Sequence, residues 1–402
     1  MSCEPGQSPG PEKIEANIRQ LSIIESEMVQ TSSEFSLRFF RQVEKEGMSN
    51  HFSGPYSIHQ ALSMAMNGND GEILQEYLDV LAYNGLDLED ANKAAKSLTT
   101  YLRELDPRVN INIANGIWYR DGLKVKTKFR ETMADIYRAN VSSLDFQAPN
   151  GHHVINNWIS DQTGGLIKDM IQELNADAVM YLVNAIYFKG DWKYQFDPKK
   201  TKREPFHLES GKSVQVDMME SKGSTGIRIW ADSKVTYMEI PYSTGQYQMA
   251  VIQPKNGLLN DFINEISYEN LNSWSSNALE TQVILKMPKF KIQYKIENLK
   301  DHLVSMGLHS PFKPHPDNFI KVFEDKLPDL LLSRVIHEAI IVVDENGTEA
   351  TAASAAEMVP VSSDGKKNPA TIKLDKPFYF MIIEKSSGAV LFSGKLNDPS
   401  KL

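Results

Sequence analysis

The run Glu345-Asn346-Gly347-Thr348-Glu349-Ala350-Thr351-Ala352-Ala353-Ser354-Ala355-Ala356-Glu357-Met358-Val359-Pro360-Val361-Ser362 decides how the rest of the chain is read. It follows an apolar, β-branched run from Ala339 to Val343 and precedes a second strand-like run from Pro377 to Glu384. Small residues dominate it, and the usual turn residues wait until Ser362-Ser363-Asp364-Gly365. At a period of two, Thr348, Ala350, Ala352, Ser354, Ala356, Met358 and Pro360 form an uncharged and mostly small set, while Glu349 and Glu357 fall on the other set. One face of such a strand can enter a core while the other stays wet. Alanine and glutamate are nevertheless weak strand formers, and Met-Val-Pro-Val-Ser reads as an exposed tip. The composition fits a segment that is a loop in one state and a central strand in another.

Working outward, Leu182-Val183-Asn184-Ala185-Ile186-Tyr187-Phe188-Lys189-Gly190-Asp191-Trp192, continuing to Phe196-Asp197-Pro198 and Thr201, reads as a buried strand that ends at a glycine turn. Trp192 is then placed to pack under the strand end. Val109, Ile111 and Ile113 alternate with polar residues and lead into Gly116-Ile117-Trp118-Tyr119, a second strand. Ile155-Asn156-Asn157-Trp158-Ile159 through Thr163-Gly164-Gly165-Leu166-Ile167 reads as an amphipathic helix stopped by glycine. Near the start, Ile14, Ile18, Leu21 and Met28 predict a helix from about Glu12 to Val29. Ser32 or Ser33 then caps a second helix carrying Phe35, Phe39 and Val43 on one stripe.

The hinge-like run from Glu345 to Ala356 resembles that of the inhibitory serpins, serine-protease inhibitors whose reactive loop inserts into a β-sheet after cleavage, itself a standard instance of strand addition. The segment Asn50-His51-Phe52-Ser53-Gly54-Pro55-Tyr56-Ser57-Ile58 is similar to the serpin Asn-x-Phe-x-Ser-Pro-x-Ser-Ile, with Gly54 in place of serine. The helix with Trp158 and the strand from Leu182 to Trp192 match family signatures, the latter at nearly every position. Weaker echoes follow in order at Met218-Met219, Glu239-Ile240-Pro241-Tyr242 and Met287-Pro288-Lys289-Phe290. Val335-Ile336-His337-Glu338-Ala339 has Glu338 where the family has lysine, and Pro377-Phe378-Tyr379-Phe380 and Leu391-Phe392-Ser393-Gly394-Lys395 close the chain.

The resemblance implies an α+β serpin fold with three β-sheets, about eight or nine helices and an exposed reactive-centre loop over 345–376. It implies one domain over 31–402, preceded by a flexible extension over 1–30. The expected function is irreversible, suicide-substrate inhibition of an elastase-like or chymotrypsin-like serine protease through a covalent acyl-enzyme complex. On this reading the protein supplies bait and stored strain and is expected not to be an enzyme. The implied hinge is Glu345, Gly347, Thr348, Glu349, Ala350, Thr351, Ala352 and Ala353. The residues implied to control sheet opening are Ser57, Asn184, Trp192, Lys289 and His337, with Lys289 opposite Glu345. Counted from Glu345 at the family's usual spacing, the scissile bond falls at Val361-Ser362. Val361 suits the shallow pocket of an elastase-type enzyme. Cleavage after Met358, or after Lys366 or Lys367, stays open, since Ser362 to Lys376 is longer than the family usually allows. A non-inhibitory serpin acting as carrier, chaperone or structural partner is the other reading, and the small hinge residues favour the first.

Composition agrees with a folded protein: of 402 residues, 41% are hydrophobic and 24% charged. A net charge of −9 disfavours nucleic acid and anionic membrane as partners. The single cysteine, Cys3, excludes an intrachain disulfide; the opening MSCEPGQSPGPEK lacks the basic start and apolar stretch expected of a secretory leader, and no run of 18 apolar residues occurs. A monomer that is cytoplasmic, or exported without a signal peptide, is expected. Two sequons, Asn140-Val141-Ser142 and Asn346-Gly347-Thr348, bear on this, because a glycan on Asn346 would obstruct strand insertion.

Catalytic motifs fail. There is no Gly-x-Ser-x-Gly elbow, and His337-Glu338-Ala339-Ile340-Ile341 lacks the second histidine of a zinc protease. Gly388 to Lys395 has one residue too many for a phosphate loop and is followed by Leu396. His152-His153 are adjacent and are expected to point apart, so no metal is expected, and no cofactor.

Overall fold

The computed structural model describes residues 15–47, 50–83, 85–327, 330–332, 334–348 and 369–402. Strand Met180–Asp191 is the axis of a six-stranded sheet, because Tyr181 to Phe188 is apolar save for Asn184 and buried throughout. It pairs antiparallel with Val109–Arg120 from Val109↔Gly190 to Tyr119↔Met180, and that strand pairs in parallel with Asn140–Leu144. On its other side it pairs in parallel with Val335–Val343, which pairs antiparallel with Phe290–Ile296.

Both faces of this sheet are covered. Helix Gly151–Gln162 lays Ile155 and Ile159 against Ala114, Val183, Ala185, Ile336 and Ile340, with Trp158 edge-on to Trp118. On the other face lies helix Pro55–Met66, buried along its entire length with proline in its first turn, where the missing N–H costs nothing. Burial on both faces is what lets the strands read as continuous apolar runs.

The second network has ten strands, in the order Asn50–Ser53, Val390–Leu396, Phe378–Glu384, Tyr247–Pro254, Val235–Pro241, Thr225–Ala231, Leu279–Pro288, Ser213–Glu220, Lys202–His207, with Ala370–Lys373 parallel to Leu279–Pro288. Three sheets were expected, and the hydrogen bonds give two networks. The reason is that Leu279–Pro288 serves two neighbours: Leu279 to Val283 pairs with Thr225–Ala231, and Lys286 to Pro288 with Ser213–Glu220. Three sheet segments are therefore present, two of them sharing one strand. Eight α-helices lie among the described residues.

The first helix departs from expectation. Residues 15–22 are not helical, and one continuous helix runs Ile23–Glu44. Ser22 caps it, accepting from the Glu25 N–H while the Glu25 carboxylate accepts from the Ser22 N–H. Ser32 and Ser33 lie inside this helix: the Ser32 hydroxyl donates back to the Val29 carbonyl, and the Ser33 hydroxyl accepts from the Val390 N–H. The extended segment before it is tied down by Asn17, whose N–H donates to the Leu105 carbonyl at 2.7 Å.

Candidate functional site where two parallel strands part

Strands Met180–Asp191 and Val335–Val343 are bonded directly only at one end, from Val335↔Leu182 to Ala339↔Ile186. At the other end the short strand Gly347–Thr348 stands between them. Thr348 pairs antiparallel with both Val343 and Gly190, and Gly347 pairs with Asp191. The chain therefore turns back after Val343 and begins a new central strand before leaving the described residues. Gly347 is required there, because a Cβ would sit 2.2 Å from the Gly190 carbonyl oxygen.

The return is fastened by backbone and side-chain groups from three directions. The Trp192 N–H donates to the Asn346 carbonyl at 2.8 Å and its indole N–H to the Asp344 carbonyl at 3.0 Å. The Phe196 N–H donates to the Glu345 carbonyl. The Glu345 carboxylate takes 2.8 Å hydrogen bonds from Lys289 Nζ and Thr201 Oγ1. Burial is the largest single influence and would raise that carboxyl, but the hydrogen bonds from Lys289, its own backbone N–H and Thr201, with the charge of Lys289, together hold the group below its ordinary value. Thr348 is fully buried, with Oγ1 2.7 Å from the Tyr242 hydroxyl, and the Tyr242 ring stacks on Trp192 at 4.3 Å. The hinge was expected to begin in an exposed loop. Its residues Gly347 and Thr348 are instead already inside the sheet, because Gly190 and Val343 offer them free pairing positions.

Below this, beneath the directly paired part, a buried chain of neutral hydrogen bonds crosses the sheet. The Gly54 N–H donates to His337 Nε2 at 3.1 Å, so the ring proton is on Nδ1, which donates to Asn184 Oδ1 at 3.0 Å. The Ser57 hydroxyl donates to the same oxygen at 2.6 Å. Asn184 Nδ2 then donates to Asn115 Oδ1, and Asn115 Nδ2 to the Tyr137 carbonyl. Burial alone pushes His337 down to about 3, so it is neutral at ordinary pH. Gly54, where the sequence comparison expects serine, has a packing reason: a Cβ would meet Ile186 Cγ2 at 2.2 Å. The Glu338 replacement is also accommodated, buried with Oε1 accepting from Gln293 Nε2 at 2.7 Å.

The structure brings Glu345, Gly347, Thr348, Trp192 and Lys289 together at one end of the sheet and Ser57, Asn184 and His337 at its middle. Glu349, Ala350, Thr351, Ala352, Ala353, Val361 and Ser362 lie outside the described residues, as do Met358, Lys366, Lys367 and Cys3. Asn115 was missed, although it breaks the apolar series Val109, Ile111, Ile113, Ile117 on the inward face of its strand. The role of Tyr242 was missed as well, since nothing local marks a tyrosine after a proline as the lid on a distant threonine. His152 and His153 were expected to diverge, but their rings lie 4.1 Å apart on consecutive helical residues.

Comparison with known proteins bears on this arrangement. The family model described as Serpin (serine protease inhibitor) matches residues 30–399. An alpha-1-antitrypsin homolog from Cyprinus carpio is 31% identical over 87% of this chain and 92% of its own. A serine protease inhibitor from Cyanea capillata is 31% identical over 92% of this chain and 98% of its own. Among solved structures, human thyroxine-binding globulin complexed with thyroxine superposes with a TM-score of 0.83 at 26% identity, covering 94% of this chain and 99% of the other.

Proposed function

The chain belongs to the serpin family, and from that premise we propose that it is an irreversible inhibitor of serine proteases, acting by cleavage of its loop and insertion of the cleaved strand into the six-stranded sheet. The observation that carries this is the strand Gly347–Thr348, which has entered between two parallel strands in the direction a longer insertion would follow. Both named relatives are protease inhibitors, which supports the same reading.

The protease supplies the chemistry. Its serine attacks the bait bond, proposed at Val361-Ser362, and forms an ester with the new carboxyl terminus while the amine end leaves. The freed strand continues the pairing begun at Thr348 and carries the acylated enzyme along the sheet. Distortion of the enzyme's oxyanion hole then prevents water from completing hydrolysis. The hinge residues from Ala350 to Ala353 suit this role by size, since on an inserted strand every second one would face the core.

The test is incubation with elastase-like and chymotrypsin-like enzymes. A denaturant-resistant complex is expected, and N-terminal sequencing of the released fragment is expected to begin at Ser362. Val361→Arg should slow elastase trapping and gain some against trypsin; unchanged elastase kinetics would move the bond. A carrier or structural role would instead show as clean cleavage without any trapped complex. Thyroxine-binding globulin is one structural neighbour whose name describes binding a small molecule, so that outcome has a defined meaning.

A further inference from the structure

A cavity of about 270 Å³ opens between helices Leu88–Glu104 and Thr127–Tyr137, beside strand Val109–Arg120. Gln60, Asn115 and Tyr137 line its buried side, and Arg103 and Arg138 stand nearer its mouth. Gln60 is only 2% exposed, yet its amide nitrogen Nε2 has no hydrogen-bond partner among the described residues. A buried donor left without an acceptor is costly and calls for an explanation.

The charges at the mouth point the same way. Arg103 reaches Asn112 Oδ1 at 3.4 Å, at the weak end of hydrogen bonding. Arg138 sits at the left-handed end of its helix, with φ 51°, on the exposed rim. Among the described residues neither guanidinium is ion-paired, whereas the nearby Lys96 is committed to Asp135 at 2.6 Å. Burial and then the charge of Arg138 work against the charged form of Arg103, so the two cations repel each other across the opening. Asp135 also lines the cavity, but its carboxylate is paired with Lys96, so among the described residues Arg103, Arg138 and Gln60 Nε2 are left without an anionic acceptor.

We propose that the cavity binds a small multivalent oxyanion, with inorganic phosphate or sulfate as the simplest case, held between Arg103 and Arg138 with Gln60 Nε2 donating from the wall. The volume equals roughly nine water molecules, enough for a tetrahedral anion with some retained water and short of the usual size for a drug-like ligand. A long polyanion is disfavoured, because helix Leu88–Glu104 offers no open basic track: Lys93 pairs with Glu89 as Lys96 does with Asp135. Asn115 lines the cavity and also accepts from Asn184, so an occupied site abuts the buried hydrogen-bond chain of the sheet. The inference stands on these residues alone and does not depend on the protease-inhibitor reading.

Calorimetric titration of the full chain with phosphate and with sulfate, at fixed ionic strength and against chloride, tests it. Saturable one-to-one binding is expected, with a raised melting temperature at saturation. Arg138→Gln, on the exposed rim, should melt like wild type without phosphate and bind it about tenfold more weakly, the loss of one charge-assisted contact. Gln60→Met should weaken binding by a smaller factor. Absence of saturable binding, or equal phosphate affinity in wild type and Arg138→Gln, overturns the site. So does a sulfated polysaccharide that binds when inorganic phosphate and sulfate do not.

Discussion

The two ends of the contact between strands Met180–Asp191 and Val335–Val343 are held by different physics. At the hinge end, the fastening is an ion pair whose lysine side chain is 44% exposed, with hydroxyl and indole hydrogen bonds around it. At the middle, Gly54, Ser57, Asn184, Asn115 and His337 form one buried and fully neutral chain of hydrogen bonds. Exposed ion pairs contribute little because solvent screens them, whereas an orphaned buried donor or acceptor costs its full desolvation. On this comparison the ion pair at the hinge end is the weaker fastening and the buried chain at the middle the stronger.

The strongest way to break this comparison is Asn184→Leu. It removes one acceptor shared by His337 and Ser57 and one donor to Asn115, leaving several buried groups unsatisfied at ~1–3 kcal/mol each. A loss of about 3 kcal/mol or more is expected, read as a lowered urea midpoint or faster thermal inactivation. Stability equal to wild type would mean that the buried chain is not what holds the middle.

The next effect is a pH dependence. His337 is held down to about 3 in the fold against an ordinary value near 6.5, so between those values the unfolded chain binds the extra proton. Stability is then fully present above pH 6.5 and falls as pH drops toward 3, by about 2 kcal/mol at pH 5 for this group. His59, held down to about 4 by burial, adds to the same slope. His337→Gln should reduce the slope of stability against pH between 6.5 and 5 by about one proton. An unchanged slope would show that His337 is not the buried neutral group described above.

At the hinge end the expected effect is smaller. Glu345→Lys sets two ammonium groups against each other and removes an acceptor from Thr201, at a cost of about 1 kcal/mol given the exposure of Lys289. Under the proposed insertion mechanism, that small loss should appear as a kinetic change: faster spontaneous insertion or polymer formation on mild heating, seen on native gels. A variant as slow to convert as wild type would remove this pair from the latch.

How much of this was legible beforehand follows the range of each interaction. The strand ending at Trp192 and the apolar series from Val109 could be read, because burial on a regular strand leaves a local pattern. Gly347 was read as a hinge residue, but its carbonyl neighbour at Gly190 is far away in sequence, so the depth to which the hinge enters the sheet was not readable. The same limit hid the shared strand Leu279–Pro288, since one strand's sequence does not say that its halves have different partners. The early helix start was a different kind of miss. Several serines compete as caps in that stretch, and only Ser22 has a glutamate three residues on that bonds back to it.

Glu338 gives the smallest test and the sharpest one for the difference between the two ends. It lies next to His337 on the same strand, with Lys295 as its register partner, yet it is a carboxyl group at the buried middle. Gln293 donates to one of its oxygens, and the other, Oε2, has no partner among the described residues. Burial raises its pKa above the ordinary carboxylate value, so in the window above about 4.5 the folded protein binds more protons than the unfolded chain. Stability from this group is present below that window and is lost as pH rises through the folded value, the opposite sign to His337. Glu338→Gln cannot ionise, so it should be more stable than wild type at pH 8 by under ~1 kcal/mol and equal to it at pH 4. A uniform shift at both pH values would reflect packing or hydrogen bonding instead. A loss at pH 8 alone would mean that the ionised carboxylate is stabilised there, and the middle of the sheet would then resemble the hinge end more than the neutral chain around His337 indicates.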